Sequence, residues 1–300
     1  MTETILITGA SGFLGKRIVR FLQRSSDAYV ITTSRKQESF PNHLVRDLSD
    51  ITSEITHQVD TVVHFAGLSA HSIATEEEFY QANTINTMNL AKAAIISGVK
   101  RFVFISTTDV YGMNAHSNIE ITEESAVHPK TSYAKSKLAA ENELKALCKN
   151  SSMNLIILRL PLIYHIDIKN KFGEYIKMVQ NQQPLPLDKI NNRKSLLALR
   201  NFESALNAVL SQPEIQNEVM VIADDLPIST TEMMKNIAIA SVVPIKLFYV
   251  PKILMRASLT LTGKKEYFDD LWGNSNVSSK YAQQRLNWKP FDNFIVNLSK

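Results

Sequence analysis

Short apolar runs alternate with longer segments of helical character along the first half of this 300-residue chain. The runs occupy residues 5–7, 29–33, 61–67, 101–107 and 155–158. Between them, an amphipathic segment extends through about Arg24, a long helical segment runs from Glu76 to Ser97, and another begins near Thr131. Strands that alternate with helices form parallel sheets with right-handed crossovers. The pattern therefore predicts an α/β fold built on a doubly wound parallel sheet.

The character of the chain changes after Pro161, where prolines divide it into shorter segments. These prolines lie at positions 184, 186, 213, 227, 244 and 251. We predict one domain over residues 1–164 and a smaller, less regular lobe over residues 165–300, with some of its segments returning to the first domain. The lobe is expected to cover the carboxyl ends of the strands.

The most apolar part of the predicted lobe is the stretch from residue 236 to residue 262. Lys246, Lys252, Arg256 and two prolines interrupt this stretch, so it is not predicted to cross a membrane. We expect it to form a helix that packs on the core of the lobe itself. A helix lying in a membrane interface is the alternative.

A glycine loop, Thr8-Gly-Ala-Ser-Gly-Phe-Leu-Gly15, connects the first strand to the first helix. Gly9 permits a tight turn, Gly12 lets the backbone approach a pyrophosphate, and Gly15 allows the helix to pack closely on the strand. The free N–H groups at the start of the helix then face the anion. The loop predicts a Rossmann-like dinucleotide site, contacted by Gly9, Ser11, Gly12, Phe13, Leu14 and Gly15.

The end of the second strand bears on the choice between NADP and NAD. NAD-binding units usually place an acidic residue there to hold the ribose 2′-hydroxyl. Here the sequence reads Thr32-Thr-Ser-Arg-Lys36, without a carboxylate. Arg35, helped by Ser34 or Lys36, is suited to a 2′-phosphate, so we predict NADP, with NAD as the alternative. The competing interpretation is that these side chains are solvated loop charges.

The candidate chemistry lies on the predicted helix that begins near Thr131. Tyr133 and Lys137 are four residues apart and therefore share one helix face. A phenol has an ordinary pKa near ~10, and a neighbouring ammonium favours its ionised form. Tyr133 is thus a candidate proton donor, and Lys137 the group that tunes its pKa.

Composition removes several other classes of function. A net charge of +4 without a block of basic residues does not indicate nucleic acid. The single cysteine, Cys148, excludes an internal disulfide and a zinc cluster of thiolates, and the seven histidines lack ligand spacing, so no metal is predicted. The first strand follows the initiator methionine so closely that no signal peptide is expected, and we predict a cytoplasmic protein.

The glycine loop, the segment Phe104–Gly112 and the Tyr133/Lys137 pair follow one another in an order that resembles the extended short-chain dehydrogenase/reductases. That family includes nucleotide-sugar epimerases, dehydratases and 4-keto reductases. The segments at 168–172, 184–187 and 192–196 are most similar to bacterial UDP-N-acetylquinovosamine dehydrogenases. Those proteins reduce a UDP-4-keto-6-deoxy-N-acetylhexosamine during surface-polysaccharide synthesis.

The resemblance also implies roles for individual residues. Thr107 is expected to hydrogen-bond the reacting sugar oxygen, Tyr133 to move the proton, and Lys137 to hold the nicotinamide ribose. Further expected contacts to the cofactor come from Asp47, Leu48, Phe65, Ala66 and Gly67. Expected contacts to the substrate come from Thr107, Thr108, Asp109, Tyr133, Asn170 and Arg193. For Arg193 the competing interpretation is a solvated surface residue beside Lys194.

Positions where this sequence departs from the family pattern indicate which of the family's reactions is expected. A dehydratase needs an extra acid and base, and only Asp109 is present where dehydratases carry an Asp-Glu pair. Ser69 replaces a lysine seen in many galactose-type 4-epimerases, which counts against an epimerase. The missing acid after the second strand favours NADPH, which a reductase consumes, so a 4-keto reductase is predicted first and a 4-epimerase second. A non-catalytic NADP sensor or scaffold is the third hypothesis. The family also implies a homodimer through the Glu76–Ser97 and Tyr133 helices.

Overall fold

The computed structural model describes residues 2–48, 56–112, 119–263 and 265–299. The chain divides into two compact units. Unit 1 consists of the described residues within Met1–Gly112, Val127–Leu160 and Leu206–Met220. Unit 2 consists of those within Met113–Ala126, Pro161–Ala205 and Val221–Lys300. Unit 1 thus takes residues from both sides of position 164.

A seven-stranded sheet runs through the described part of the chain, in the order β3-β2-β1-β4-β5-β6-β9. Its strands are β1 Thr4–Thr8, β2 Tyr29–Ser34, β3 His43–Val45, β4 Thr61–His64, β5 Arg101–Thr107, β6 Asn154–Leu160 and β9 Glu218–Val221. Every neighbouring pair from β3 to β6 is parallel, with Ile5 opposite both Val30 and Thr61. This is the Rossmann-like α/β sheet that the alternating pattern predicts.

The helices of unit 1 agree closely with the predicted segments. They are α1 Phe13–Ser25, α2 Glu76–Tyr80, α3 Asn86–Ile96 and α4 Ser132–Cys148. One turn of π-helix, Gln81–Ile85, joins α2 to α3, so the predicted segment Glu76–Ser97 is one helical rod with a local widening. Thr131 caps α4 by accepting a hydrogen bond from the Ala134 N–H at 3.1 Å.

The core of unit 1 lies between the sheet and helices α3 and α4. All seven residues of β5 are buried, as expected for a strand covered on both faces. The strands contribute Leu6, Val62, Phe102, Phe104, Leu155 and Ile157 to this core. The helices contribute Met88, Leu90, Ala91, Ala94, Ala140, Leu144 and Cys148. The packing fixes α4, which carries Tyr133 and Lys137, against β5 and β6.

Unit 2 contains shorter elements. They are the parallel pair β7 Leu162–Tyr164 and β8 Leu196–Ala198, and the helices α5 Lys171–Gln180, α6 Leu199–Leu210, α7 Thr230–Ser241, α8 Lys252–Leu261, α9 Lys265–Trp272, α10 Lys280–Arg285 and α11 Phe294–Ser299. Helix α6 continues into the residues that belong to unit 1. None of the helices in the described ranges is long and apolar enough to cross a membrane.

The prediction for residues 236–262 is wrong in its second half. Helix α7 ends at Ser241, where Val242 takes a positive φ of 55°, and α8 starts only at Lys252. Helix α8 has no buried residue, and Ile253 and Leu261 are 81% and 88% exposed. Helix α8 therefore does not pack into the core of the lobe, although it contains leucine and isoleucine. The reason is that its apolar residues lie on more than one face of the helix.

Candidate active site

The glycine loop lies where the strand order of the sheet reverses. Strand β1 pairs with β2 on one side and β4 on the other, so the chain leaves β1 in one direction and later returns in the other. In open α/β sheets this point forms the crevice that binds ligands at the carboxyl ends of the strands. Residues 9–15 follow β1 and residues 65–67 follow β4 at this edge.

Two glycines of the loop are required by close contacts. Gly9 has a φ of +71°, and a Cβ atom there would lie 2.7 Å from the backbone N of Ala66. A Cβ atom on Gly15 would collide with the carbonyl oxygen of Gly9, so only glycine lets α1 start this close to β1. The Gly12 N–H closes the turn by donating to the Gly9 carbonyl at 2.9 Å.

The start of α1 has the chemistry of an anion site. Gly12 is the N-cap and supplies no side-chain acceptor, and the first turn contains no acidic residue. The start of this 13-residue helix therefore favours a negatively charged group through the positive end of the helix dipole. Ser11, Phe13 and Leu14 are half-buried beside it. These features fit the pyrophosphate of a dinucleotide.

The residues after β2 and β3 reach the same edge of the sheet. Arg35 follows the end of β2 and is exposed, while the Ser34 hydroxyl donates to the Lys36 carbonyl at 2.7 Å. The sequence analysis overlooked Glu38, which forms a salt bridge of 2.9 Å with Lys16 of α1. A carboxylate is thus present two residues after the segment Thr32–Lys36, which contains none. Asp47 and Leu48 follow β3 and are half-buried.

Tyr133, Lys137 and Thr107 lie together at the junction of α4 and β5. Thr107 is the last residue of β5, and its hydroxyl oxygen accepts from the Asp109 N–H at 3.1 Å and hydrogen-bonds the Tyr133 side chain. Lys137 is buried, with its Nζ 3.9 Å from the centroid of the Phe104 ring. Thr108 is buried and Asp109 is exposed in the 3₁₀ turn that follows β5.

Burial is the largest influence on the pKa values of Tyr133 and Lys137. It raises the pKa of the Tyr133 phenol well above its ordinary value, the negative charge of Asp109 adds to the effect, and the Thr107 hydrogen bond opposes it. Burial also lowers the pKa of Lys137 to about 7, against the charge of Glu141. The structure thus differs from the expectation that Lys137 lowers the pKa of Tyr133. The phenol therefore carries its proton at neutral pH, and the raised pKa makes it a weaker acid than a free tyrosine.

Asn83, in the π-helical turn, connects the segment that follows β4 to helix α4, which carries the predicted residue Tyr133. Its Oδ1 accepts from the Leu68 N–H at 2.7 Å, and its Nδ2 donates to the Leu68 carbonyl and to the Ser136 hydroxyl at 3.1 and 3.0 Å. The Ser136 hydroxyl in turn donates to the Tyr133 carbonyl at 2.8 Å. Gly67 leaves room for the amide, because a Cβ atom there would collide with Asn83 Oδ1.

His64 forms a second buried connection that sequence reasoning missed. Its ring nitrogens lie 2.7 Å from the Thr8 hydroxyl and 2.8 Å from the Thr87 hydroxyl. The Thr87 hydroxyl donates to the Asn83 carbonyl and the Thr8 hydroxyl accepts from the Ala66 N–H, which assigns the ring proton to Nε2. Burial and the charge of Lys137 lower the pKa of His64 to about 3, so the ring is neutral.

A buried ion pair holds α4 against the sheet near Tyr133 and Lys137, the predicted catalytic residues. Arg159 of β6 donates through Nε and Nη2 to the carboxylate of Glu141, with the shortest distance 2.5 Å. The Ser106 hydroxyl donates to the same carboxylate at 2.5 Å, and Arg159 Nη1 donates to the Tyr111 hydroxyl at 2.8 Å. Glu141 is fully buried and Arg159 nearly so. The only feature of the sequence that indicates this ion pair is the four-residue spacing between Lys137 and Glu141, which places both on one helix face.

The two predicted substrate residues that belong to unit 2 have different environments. Asn170 is the N-cap of α5, where its Oδ1 accepts from the Phe172 N–H at 2.9 Å and its Nδ2 donates to the Ile163 carbonyl at 3.0 Å. Arg193 is exposed, and its backbone N–H donates to Asn274 Oδ1 at 2.8 Å. Burial lowers the pKa of the neighbouring Lys194 to about 8, against the charge of Asp270.

Comparison with known proteins places this site in a family. The model of the NAD dependent epimerase/dehydratase family matches residues 5–223, which include β1 to β9 and the Tyr133 helix. The chain belongs to this family. It is therefore an enzyme of the epimerase/dehydratase type, which sets aside the sensor hypothesis. Among the described residues, no group of three or more His, Cys, Asp or Glu side chains could hold a metal ion.

Individual relatives in the epimerase/dehydratase family have different activities. A UDP-glucose 4-epimerase of Vibrio cholerae is 32% identical over 300 residues, covering 97% of this chain and 92% of that protein. A GDP-6-deoxy-D-mannose reductase of Pseudomonas aeruginosa is 33% identical over 147 residues, covering 47% of this chain and 46% of that protein. The more specific similarity to UDP-N-acetylquinovosamine dehydrogenases is not decided by these relatives.

Solved structures confirm the fold. MoeE5 in complex with UDP-glucose and NAD superposes with a TM-score of 0.79 at 20% identity, covering 98% of this chain and 95% of that one. The RMD protein of Pseudomonas aeruginosa, complexed with NADPH, superposes with a TM-score of 0.74 at 21% identity, covering 98% and 96%. The same fold therefore accommodates NAD in one protein and NADPH in another.

Proposed function

We propose that this enzyme reduces a UDP-4-keto-6-deoxy-N-acetylhexosamine at C4, with NADPH as the hydride donor. The observation that carries the proposal is the Tyr133 hydroxyl, which is hydrogen-bonded to Thr107 and whose pKa burial raises, so that it is protonated at neutral pH. A carbonyl that receives a hydride needs a proton donor at its oxygen, and a protonated phenol supplies one. The reductase relative in Pseudomonas aeruginosa supports this direction of reaction.

The roles proposed for the residues follow from their positions. The nicotinamide cofactor, when bound, supplies the hydride. The backbone of residues 9–15 holds its pyrophosphate, and Asp47, Leu48, Phe65, Ala66 and Gly67 border its adenosine and ribose. The Thr107 hydroxyl orients the sugar oxygen, and Tyr133 gives that oxygen its proton. Lys137, with a pKa of about 7, binds the nicotinamide ribose and returns a proton to Tyr133.

Three further residues are assigned to recognition. Arg35, exposed after β2, is proposed to bind the 2′-phosphate of NADP. Asn170 and Arg193 are proposed to bind the nucleotide and the diphosphate of the substrate, for which a guanidinium is well suited. The salt bridge between Glu38 and Lys16 favours the assignment of Arg35 to the 2′-phosphate. Lys16 partly neutralises the Glu38 carboxylate, so its charge opposes a bound phosphate less.

A nucleotide-sugar 4-epimerase is the second candidate. The Vibrio cholerae UDP-glucose 4-epimerase supports it, because the similarity covers 97% of this chain. The same Thr107, Tyr133 and Lys137 would serve, but Tyr133 must then first remove a proton, which its raised pKa opposes. An epimerase also keeps its cofactor through the cycle, whereas a reductase exchanges NADPH for NADP in every turnover.

One experiment separates the two candidates. The purified enzyme is mixed with NADPH and UDP-4-keto-6-deoxy-N-acetylhexosamine, and the nicotinamide absorbance is followed until the substrate is exhausted. A reductase consumes one NADPH for each sugar reduced. In parallel, UDP-glucose is incubated with NAD and the sugars are separated by chromatography. Formation of the 4-epimer with no consumption of NADPH in the first assay would replace the reductase proposal by the epimerase.

Quaternary structure is the remaining part of the proposal. We propose a homodimer through the rod formed by α2, the π-helical turn and α3, together with α4, and equilibrium sedimentation measures it. On this surface Tyr80 donates to Glu143 at 3.0 Å, and Lys135 forms a salt bridge with Glu76 at 3.4 Å. A mass equal to the monomer at all protein concentrations would contradict it.

A further inference from the structure

Helix α8 of unit 2 turns an apolar face toward solvent. Ile253, Ala257 and Leu261 follow each other at intervals of four residues, and Leu254 lies beside them. All four are exposed, with Ile253 at 81%, Leu254 at 61% and Leu261 at 88%. The half-buried residues of the helix, Met255 and Leu259, occupy the opposite side. The outward face is therefore the more apolar of the two.

The segment that leads into α8 also exposes apolar side chains. Val242 is 91% exposed, Phe248 46% and Tyr249 56%. The segment is held in place by the backbone, because the Phe248 N–H donates to the Leu185 carbonyl at 3.0 Å. Scattered apolar side chains are common on protein surfaces, but contiguous groups of this kind mark interaction sites.

Along the stretch of sequence that contains α8, the charged residues have one sign. From residue 233 to residue 265 the sequence contains six lysines and arginines and no aspartate or glutamate. Lys252 and Arg256 lie four residues apart on α8 and are both exposed. Arg256 borders Ile253 on the helix surface, and Lys252 Nζ lies 5.9 Å from the centroid of the Phe268 ring. Lys246 is exposed in the preceding segment. Long basic side chains at the edge of an apolar face can extend toward lipid headgroups while the apolar residues enter the acyl region.

We propose that α8 docks this protein on an anionic lipid bilayer. The helix has ten residues and is about 15 Å long, half of the ~30 Å needed to span the hydrocarbon core, so it lies in the plane of the interface. Ile253, Leu254, Ala257 and Leu261 enter the boundary of the acyl chains. Lys246, Lys252 and Arg256 contact the phosphate headgroups, whose negative surface potential attracts them.

A second copy of the chain is a less suitable occupant. Two-fold pairing of α8 would bring each apolar face against its own copy and place Lys252 and Arg256 near their equivalents. No acidic residue occurs between positions 233 and 265 to compensate that repulsion. An anionic bilayer provides acyl chains that contact the apolar face and negative headgroups that contact the cations. The proposal goes beyond the reductase activity and does not depend on it.

The test measures co-sedimentation of the full chain with vesicles. Vesicles of phosphatidylcholine alone are compared with vesicles containing phosphatidylglycerol, at low and high salt. The full chain should bind the anionic vesicles and be released by salt, with little binding to the neutral ones. Each surface cation contributes about 1 kcal/mol, which corresponds to about fivefold in binding. The double variant Lys252→Gln/Arg256→Gln should therefore bind about 25-fold more weakly.

The apolar contribution is tested by Ile253→Ser/Leu254→Ser/Leu261→Ser, which should reduce vesicle binding more than tenfold. The matched control is Ile73→Ser, at a fully exposed residue before α2 in unit 1, and this variant should bind vesicles normally. Thermal unfolding verifies that each variant folds. The proposal is overturned if the unaltered chain ignores anionic vesicles, or if the triple variant binds them as well as the control. It is also overturned if the triple variant only loses self-association in sedimentation, since α8 would then be an interface between copies.

Discussion

Replacing Arg159 by methionine is expected to lower the free energy of unfolding by about 3–5 kcal/mol. The change leaves the fully buried carboxylate of Glu141 without its main partner, and it removes all the hydrogen bonds from Arg159 Nε and Nη2. The Ser106 hydroxyl would remain, and Lys145 Nζ lies 3.9 Å away at the edge of the site. This residual compensation favours the lower end of the range.

The assay is thermal and urea-induced unfolding of Arg159→Met, Glu141→Met and the double variant. At about 2–4 °C per kcal/mol for a domain of 150–250 residues, Arg159→Met should lower Tm by about 6–20 °C. The double variant should be more stable than either single one, because no unpaired charge remains in the core. The matched control is Lys100→Met, which breaks an exposed pair with Asp60 and should change Tm little.

Two results would refute this reasoning. One is an Arg159→Met protein that unfolds with the unaltered Tm, since the buried carboxylate would then be compensated in another way. The other is a double variant whose loss of stability equals the sum of the two single losses, because Glu141 and Arg159 would then act independently. Either result would remove the proposed anchor of α4 beneath Tyr133 and Lys137.

The remaining predictions concern the cofactor and the reaction. Arg35→Asp should reverse a preference for NADPH over NADH of at least tenfold, since a charge-assisted contact contributes about 1.5–3 kcal/mol; equal affinities in the unaltered chain would contradict it. Asp109→Asn should lower reductase turnover less than tenfold, and a loss of several orders of magnitude would indicate a second catalytic base. Gly67→Ala should weaken cofactor binding, measured by titration, because its Cβ would collide with Asn83 Oδ1. Gly98→Ala meets no atom within 4 Å; its φ of +76° strains an alanine and should lower stability, but this variant should bind cofactor normally once folded.

The parts of the fold that the sequence predicts well are those set by local chemistry. The glycine loop, the strand at residues 101–107 and the Tyr133 helix were all located from patterns within one element. Edge strands β3 and β9 were missed because they are only three and four residues long and lack alternation. The π-helical turn at Gln81–Ile85 was missed as well, since its sequence is compatible with an ordinary helix.

Contacts between elements could not be predicted from the sequence, for a different reason. The pair Glu141 and Arg159 is 18 residues apart, and the ring of His64 lies between Thr8 and Thr87, which are distant in sequence. Only the packing of α4 and the strands brings these groups together. The raised pKa of Tyr133 likewise depends on burial, which the spacing to Lys137 does not reveal.

The central claim is that Tyr133 protonates a keto sugar reduced by NADPH, and the initial rate of NADPH oxidation by Tyr133→Phe tests it most directly. The substrate is UDP-4-keto-6-deoxy-N-acetylhexosamine, and the matched control is Tyr80→Phe, which removes an exposed hydroxyl bound to Glu143. Tyr133→Phe should turn over about 10²–10⁴-fold more slowly with little change in NADPH affinity, and Tyr80→Phe should react normally. A Tyr133→Phe enzyme that reduces the substrate at the unaltered rate would contradict the account.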